Sequence, residues 1–590
     1  MSIIYIISLI ILFISFLYIK KSDKELDLVS WLVIDIVLLF SYNTLVCYIY
    51  TTLNITINLI SLSIVNYILS ILFIITIKNS GRQKYIFHKK DLIIIGIIAL
   101  IALLFAYLNF GFPLNIKYVM TDSAVHYYAT NNFFQSESLL IKSGSEMMPG
   151  AYSNAGILMK VFSQYIGFVE LYKVFICFDV FMFFISGTLM YVALKQIIKS
   201  KYETIISAII SIIYMIGYPL NILLFGYFYL QLGVIIFSTI IIIMEYFKDE
   251  IIDLKYLMLI LFMLCLELFF SYYLFVPVVY GALFIYYFLY FYKKNKKIIN
   301  KELIIFTLIT LAIPCIIGFI YNILPGIKSI NEVKAVKQIT LEGYIYRNIY
   351  SNIILFIPLV FVYIAKEKEL DYNLLALVIL TTFMCFLYLG CLLGVVSTYY
   401  FYKTYFILWF LLIYLFARGI FLIYRTSIKG KIITILYISI YIILLIVSLI
   451  AINVKVTKKV TTDETLMDVM EIYGLNKTIL TEWETDFTSE EIEILKFVHE
   501  EIEIKENTEI LILGEPKQEY WFWGIFNYKN REDPETLITS NDIDMWNNNE
   551  KFEYLICFNR SGYVEYYKED IDLNKEIIYS NESGTVYKNK

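Results

Sequence analysis

Residues 120–150 read MTDSAVHYYATNNFFQSESLLIKSGSEMMPG, and this polar stretch decides how the rest of the chain is understood. On either side, as far as Asn453, the sequence is apolar span and short connector; here it breaks off for its longest polar interruption before the tail. Asp122 and His126 stand four residues apart, so on a helix they share a face and can look into one cavity. His126 is one of only three histidines in the chain. A rival reading makes Asp122 a helix N-cap, its carboxylate accepting a backbone N–H. In that reading Tyr127, Tyr128, Phe133 and Phe134 lay the helix in the lipid headgroup layer. The surrounding topology weighs the two.

Outward from this stretch, composition sets the class. Of 590 residues 59% are hydrophobic, against roughly 45–50% in soluble globular proteins, so the chain is a multispanning membrane protein. The net charge of −4 hides an uneven distribution: lysines gather in the connectors, acids in the tail after Asp463. No basic surface interleaved with aromatics runs along the sequence, which removes nucleic acid as a partner. The seven cysteines form no CxxC pair; Cys47, Cys177, Cys265, Cys315, Cys385 and Cys391 sit in or beside apolar runs and read as small buried hydrophobes.

The first apolar run, Ile3–Ile19, is followed at once by Lys20, Lys21 and Lys24. A cleaved secretory signal has the opposite polarity, so this is a retained helix with its N-terminus outside. Further spans fall near Val29–Tyr50, Ile57–Ile77, Leu92–Asn109, Val169–Leu194, Thr204–Gly217, Leu230–Phe247, Tyr256–Tyr273, Leu274–Phe291, Leu303–Tyr321, Asn352–Ile364, Tyr372–Val395, Tyr405–Leu422 and Ile432–Val454. Basic connectors stay in the cytoplasm. Lys78–Lys90, Lys195/Lys199/Lys201, Lys293–Lys297 and Arg425/Lys429/Lys431 then lie inside, and the Asp122 stretch lies outside. About 14 spans of about 20 residues satisfy this rule, with both ends of the chain outside. The expected architecture is an α-helical polytopic membrane protein of three parts: N-terminal helices over 1–91, a membrane core over 92–454 with an outer loop at 110–168, and a small extracytoplasmic α/β domain over 455–590. In that tail Ser489–Ile502 reads as a helix capped by Ser489. Glu509–Gly514 and Phe552–Phe558 read as buried strands, and Glu576–Tyr579 with Gly584–Lys588 as a hairpin. Four of the six tryptophans lie there, Trp483, Trp521, Trp523 and Trp546, as core or as an aromatic platform for glycan. Asn54 and Asn476 sit in glycosylation-type sequons, which matter only in a eukaryotic secretory route.

Charges inside spans are costly and default to functional suspects. Asp179 and Glu267 qualify, each as a helix–helix hydrogen-bonding group or as a residue lining a cavity. Asp35, Glu245 and Arg418 lie nearer cytoplasmic ends, where snorkelling or a misplaced connector accounts for them. Three outer segments are candidates to converge: the Asp122 loop; Tyr321–Tyr350, ending in EGYIYRNIY with Glu342 and Arg347; and STYYFYKTYF, which sets Lys403 among Tyr399, Tyr400 and Tyr402. Arg and Lys at such a place suit a lipid phosphate; the plainer reading is an interfacial anchor belt.

One resemblance follows from these residues. An outer loop with Asp122, then His126-Tyr127, an aromatic helix through Phe133-Phe134, and Met148-Pro149-Gly150-Ala151-Tyr152 leading into the next helix resembles the GT-C superfamily of membrane glycosyltransferases. The many spans and the outer C-terminal domain agree with that family, whose core would begin near Leu92. The family often has two adjacent acids in this loop, whereas Thr121-Asp122 has no neighbouring acid. The resemblance implies transfer of a sugar from a polyprenyl-phosphate donor to a glycan, lipid or protein acceptor of the cell envelope, on the outer face of the plasma membrane. Asp122 and His126 would then be catalytic. Arg347, Lys403, Glu342, Glu267, Tyr399 and Tyr400 would bind substrate, and a divalent cation (Mg or Mn) is compatible with some members of the family. The competing readings are a polysaccharide polymerase, a transporter or flippase coupled through Asp179 and Glu267, and a sensor whose tail binds an outside partner.

Overall fold

The computed structural model describes residues 1–139, 149–249, 251–298, 300–324, 353–367, 371–451, 471–502, 510–526, 553–562 and 575–590. Each apolar run read from the sequence carries a helix. Eleven described helical stretches are long and apolar enough to cross a membrane. One of them, Leu254–Asn295, turns at Tyr273 and divides into helices Leu254–Tyr272 and Val276–Asn295. Two further apolar helices, Ser2–Tyr18 and Ile357–Lys366, are shorter. The Thr204–Gly217 run does not stop at its glycine: a separate helix, Tyr218–Phe225, follows with Pro219 in its first turn, where proline's missing N–H does no harm.

The bundle has two chemically different ends. At one, Lys24 Nζ donates to the Asp249 carbonyl, the Asp253 N–H to the Lys21 carbonyl, and Arg425 Nε to Glu203 at 2.9 Å, so the lysine-rich connectors lie together. At the other lie the Asp122 helix, the tail and the N-terminus, with Ser2 Oγ donating to the Val161 carbonyl at 2.7 Å.

Snorkelling does not account for the charges near the basic end. Lys21 and Asp35 are both fully buried and pair at 2.8 Å, and Lys21 also donates to the carbonyls of Phe16 and Leu17. Arg418 pairs with Glu245 and lies 3.5 Å from Asp371. A charge withdrawn from water persists only when a partner and hydrogen bonds replace its hydration, so these groups point inward to one another. The cysteines also divide: Cys47, Cys265 and Cys557 are buried, but Cys177, Cys315 and Cys385 lie on the protein's outer surface. There an apolar helix face needs no protein neighbour if lipid covers it.

The tail builds a four-stranded sheet in the order 510–513, 554–558, 584–589, 575–581, with the first pair parallel and the others antiparallel. Its helix Ser489–Glu501 is capped by Thr488, not Ser489. The Thr488 side chain accepts from the Glu491 N–H while Glu491 accepts from the Thr488 N–H, a reciprocal box that satisfies two orphan donors. Two helices not expected from the sequence, Glu471–Glu482 and Pro516–Phe526, fasten the tail to the bundle. Asn476 is buried and donates to the carbonyls of Ile216 and Gly217 at 2.9 and 2.8 Å, which withdraws it as a glycosylation acceptor.

Candidate active site

The helix Asp122–Ser136 starts at Thr121, and no side-chain bond caps it. Asp122 is therefore the first helical residue rather than the cap, and its carboxylate is not committed to the backbone. The helix does not lie in headgroups either. Tyr127 and Phe133 are buried in protein, and the tail helix Pro516–Phe526 covers the outer face. Tyr128 stacks on Trp523 with centroids 3.7 Å apart, and Tyr127 lies 5.4 Å from Trp521. Asn131 Nδ2 donates to the carbonyls of Gly524 and Ile525 at 3.1 and 2.8 Å. Close approach needs a glycine here, since a Cβ on Gly524 would stand 2.9 Å from the Ala124 carbonyl oxygen.

The inner face of the same helix carries Asp122 and His126. His126 Nδ1 lies 2.8 Å from the Tyr152 hydroxyl, contributed by the helix Pro149–Phe162. Its ring meets Tyr229 at 4.4 Å, and the Tyr229 hydroxyl stands 3.4 Å from that of Tyr399. Tyr229 reaches this point because Gly226 adopts φ +72 at the turn before the helix Phe228–Lys248, and a Cβ there would lie 2.6 Å from Ser123 Cβ. A left-handed residue with no room for a side chain has to be glycine.

Lys403 closes the group. Ser397 caps a short helix, Thr398–Lys403, which turns the lysine into the protein instead of toward an interface. Its side chain is fully buried, with Nζ 3.4 Å from the Tyr227 ring centroid and 4.9 Å from that of Tyr399. An anchor-belt lysine would keep its ammonium in water; this one does not. Nζ of Lys403 and Nε2 of His126 are both buried without a hydrogen-bond partner among the described residues. Buried polar atoms are nearly always paired, so two unpaired ones in one cluster call for an explanation.

Electrostatics tie the three together. Burial raises the Asp122 carboxyl above the usual aspartate range, and the Lys403 charge pulls it partly back. Burial, aided by the same lysine, pushes His126 down to about 3, so its imidazole is neutral at physiological pH. The arrangement combines a carboxylate made more basic by desolvation, a neutral imidazole with one free nitrogen and a lysine amine without a hydrogen bond among the described residues.

The other sequence candidates distribute differently. Tyr399 belongs to the cluster through Tyr229 and Lys403, with Tyr400 edge-on against it at 5.5 Å. Glu267 accepts from Thr44 and Ser271, both at 3.1 Å, and packs against Gly150, a helix–helix hydrogen-bonding role. Asp179 receives the Tyr118 hydroxyl at 3.4 Å. Arg347 and Glu342 lie outside the described residues. Tyr227 and Tyr229 went unrecognised within an apolar run; the glycine between aromatics in FGYFY was the signal available. A divalent cation prefers six or more oxygen ligands, and no group of three or more His, Cys, Asp or Glu side chains is placed to hold a metal ion among the described residues. Asp122 and His126 alone do not fit such an ion. Neither a protein-family model nor a curated protein matches this chain.

Proposed function

We propose that the chain is a GT-C-like membrane glycosyltransferase that moves a sugar from a polyprenyl-phosphate donor to a cell-envelope acceptor on the outer face of the plasma membrane. The reading takes the basic end of the bundle as cytoplasmic, about 14 crossings of the bilayer, and the loop and tail as extracytoplasmic. The observation that carries it is the buried, unpartnered ammonium of Lys403 in the pocket of Asp122 and His126. A buried amine that packs on aromatic rings but has no hydrogen bond among the described residues suits a ligand that brings its own negative charge.

In this reaction the acceptor hydroxyl oxygen forms a bond to the anomeric carbon while its proton passes to Asp122. The bond from that carbon to the donor phosphate oxygen breaks, and the lipid phosphate leaves with the electron pair. Desolvation makes Asp122 a better base than an exposed aspartate, and general-base help of this kind is worth roughly 10²–10⁴-fold. Lys403 meets the charge that grows on the leaving phosphate. His126, held by Tyr152, is neutral and offers Nε2 to orient a hydroxyl.

The test is complementation of a deletion strain by wild type and by Asp122→Asn, with the envelope sugars measured by mass spectrometry. Loss of the same sugar in deletion and mutant supports transfer and names the donor. A mutant that restores every sugar removes Asp122 from the chemistry and puts the transporter reading first.

A further inference from the structure

The tail carries a second hollow, about 350 Å3 in volume and lined by Thr478, Glu482, Trp483, Glu484, Glu515 and Lys517. That volume lies within the roughly 300–1,000 Å3 usual for small-molecule sites. It forms where the helix Glu471–Glu482 ends against the start of the helix Pro516–Phe526. Two observations mark it as more than a surface crease. Trp31, Trp409 and Trp521 are fully buried, whereas Trp483 is 43% exposed. Thr478, by contrast, is 2% exposed, and its hydroxyl has no hydrogen-bond partner among the described residues. An exposed indole and an orphaned buried hydroxyl thus share one hollow with three carboxylates.

We infer that this hollow is a saccharide-binding site that prefers uncharged or amino sugars to anionic ones. The C–H face of a pyranose is apolar with slightly positive hydrogens, and it packs on the electron-rich face of an indole. Sugar hydroxyls donate to carboxylates in charge-assisted hydrogen bonds, and Glu482, Glu484 and Glu515 supply the acceptors. The Thr478 hydroxyl gains the partner it lacks. Lys517 is committed within the protein: its Nζ donates to the Tyr118 carbonyl at 2.6 Å, pairs with Asp486 at 3.0 Å and stands 5.4 Å from the Trp483 ring centroid, which leaves the opposite indole face to a sugar. Glu515 lies 3.8 Å from Arg560, so Glu482 and Glu484 set the sign of the site, and a uronate or sialate would be repelled. An exposed tryptophan can instead sit in lipid headgroups, but three acids around it disfavour an anionic membrane surface.

Lys517 and Tyr118 connect the hollow to the segment that leads into Asp122, so a glycan held at Trp483 sits beside the entrance to the loop helix. Service as an acceptor subsite rests on the transfer reading above; saccharide binding does not, and the test reads binding alone. The full chain in phosphatidylcholine nanodiscs is examined by saturation-transfer NMR with the methyl glycosides of glucose, galactose, N-acetylglucosamine and glucosamine, and with methyl glucuronide. The expected result is transfer to ring protons of at least one of the first four and a weaker signal from glucuronide. Trp483→Ala should abolish the signal, and Thr478→Val should lower affinity about tenfold while melting as wild type does, since its hydroxyl has no bond to lose. Asp122→Asn should bind as wild type does.

No transfer to any of the first four glycosides overturns the inference. So does an unchanged signal in Trp483→Ala, a stronger signal from glucuronide, or quenching of Trp483 emission by brominated lipid, read as the difference between wild type and Trp483→Phe. Failure here with Asp122→Asn still losing an envelope sugar leaves the transfer reading standing. Binding without such a loss does the reverse.

Discussion

Replacing Lys403 by Met separates a structural lysine from a functional one. Methionine keeps the length and the apolar stem, and loses only the ammonium. For stability, two terms oppose each other. The ammonium sits 3.4 Å from the Tyr227 centroid, and a desolvated cation–π contact contributes about 2 kcal/mol. Against that, Nζ is fully buried with no hydrogen bond among the described residues, and the desolvation of an ion costs several kcal/mol. The second term is the larger, so Lys403→Met should melt at the wild-type temperature or above it. For function the sign reverses. A charge-assisted hydrogen bond to a phosphate is worth about 1.5–3 kcal/mol, which at about 1.4 kcal/mol per decade is roughly 10- to 150-fold in donor affinity. Differential scanning fluorimetry and a polyprenyl-phosphate binding assay on the same preparation read both. A variant that melts several degrees lower and binds donor as well as wild type refutes the reasoning, because the lysine would then be holding the fold.

Asp122→Asn should lower turnover about 10²–10⁴-fold with melting unchanged. In the wild type the base must be deprotonated, and burial raises its proton affinity; the acid limb of the pH–rate profile should therefore lie above that of an exposed aspartate. It should move higher still in Lys403→Met, which removes the charge that opposes the shift. His126, pushed down to about 3, should give no limb near the ordinary histidine value of about 6.5. Asn131→Leu and Trp523→Ala should each weaken the hold on the loop helix by about 1–2 kcal/mol, visible as faster deuterium exchange over residues 122–136. Asp486 is buried under Trp521 Nε1 and Lys517, and its carboxyl is raised from 3.8 to about 6. The folded state thus binds its proton more tightly than the unfolded state does. This contribution is complete below 3.8 and is lost as pH rises through 6. It amounts to about 3 kcal/mol for a shift of about two units, and Asp486→Asn should flatten that slope in a denaturation series.

The helices were legible because a run of about 20 apolar residues has few other uses, and the tail strands because Ile510–Leu513 and Tyr554–Phe558 are short buried runs between polar breaks. The partnership of Asp122 and His126 on one face followed from a spacing of four. What escaped the sequence is non-local. Nothing near Lys403 announces that the turn at Ser397 carries it inward, and the cation and the carboxylate are separated by most of the membrane core. Lys21 and Asp35 look like two unrelated end-of-span charges until two helices bring them to 2.8 Å. The helix Pro516–Phe526 was hidden for a local reason: Glu515-Pro516 reads as a break, although proline is at home in a first helical turn.

The loop helix explains why a membrane protein of this kind keeps its tail domain at all. Asp122 and His126 face the pocket, while Ala124, Tyr127, Tyr128 and Asn131 meet the tail helix through Gly524, Trp521 and Trp523. Those four positions follow the i, i+3, i+4, i+7 pattern of one helical face, so the helix is committed on two sides at once. Its polar sequence would leave it poorly held by the bundle alone, since Asn131, Asn132 and Thr130 bring little apolar surface. The tail supplies the missing side: stacked rings, two carbonyls that accept from Asn131, and the Lys117 Nζ and Asp486 N–H bonds that fix the entering segment at residues 116–118. On this argument the tail is part of the site's rigidity. Cutting the chain after residue 454 should leave a folded bundle whose Asp122 pocket has lost its geometry, so that donor binding falls even though no residue of the pocket has been removed.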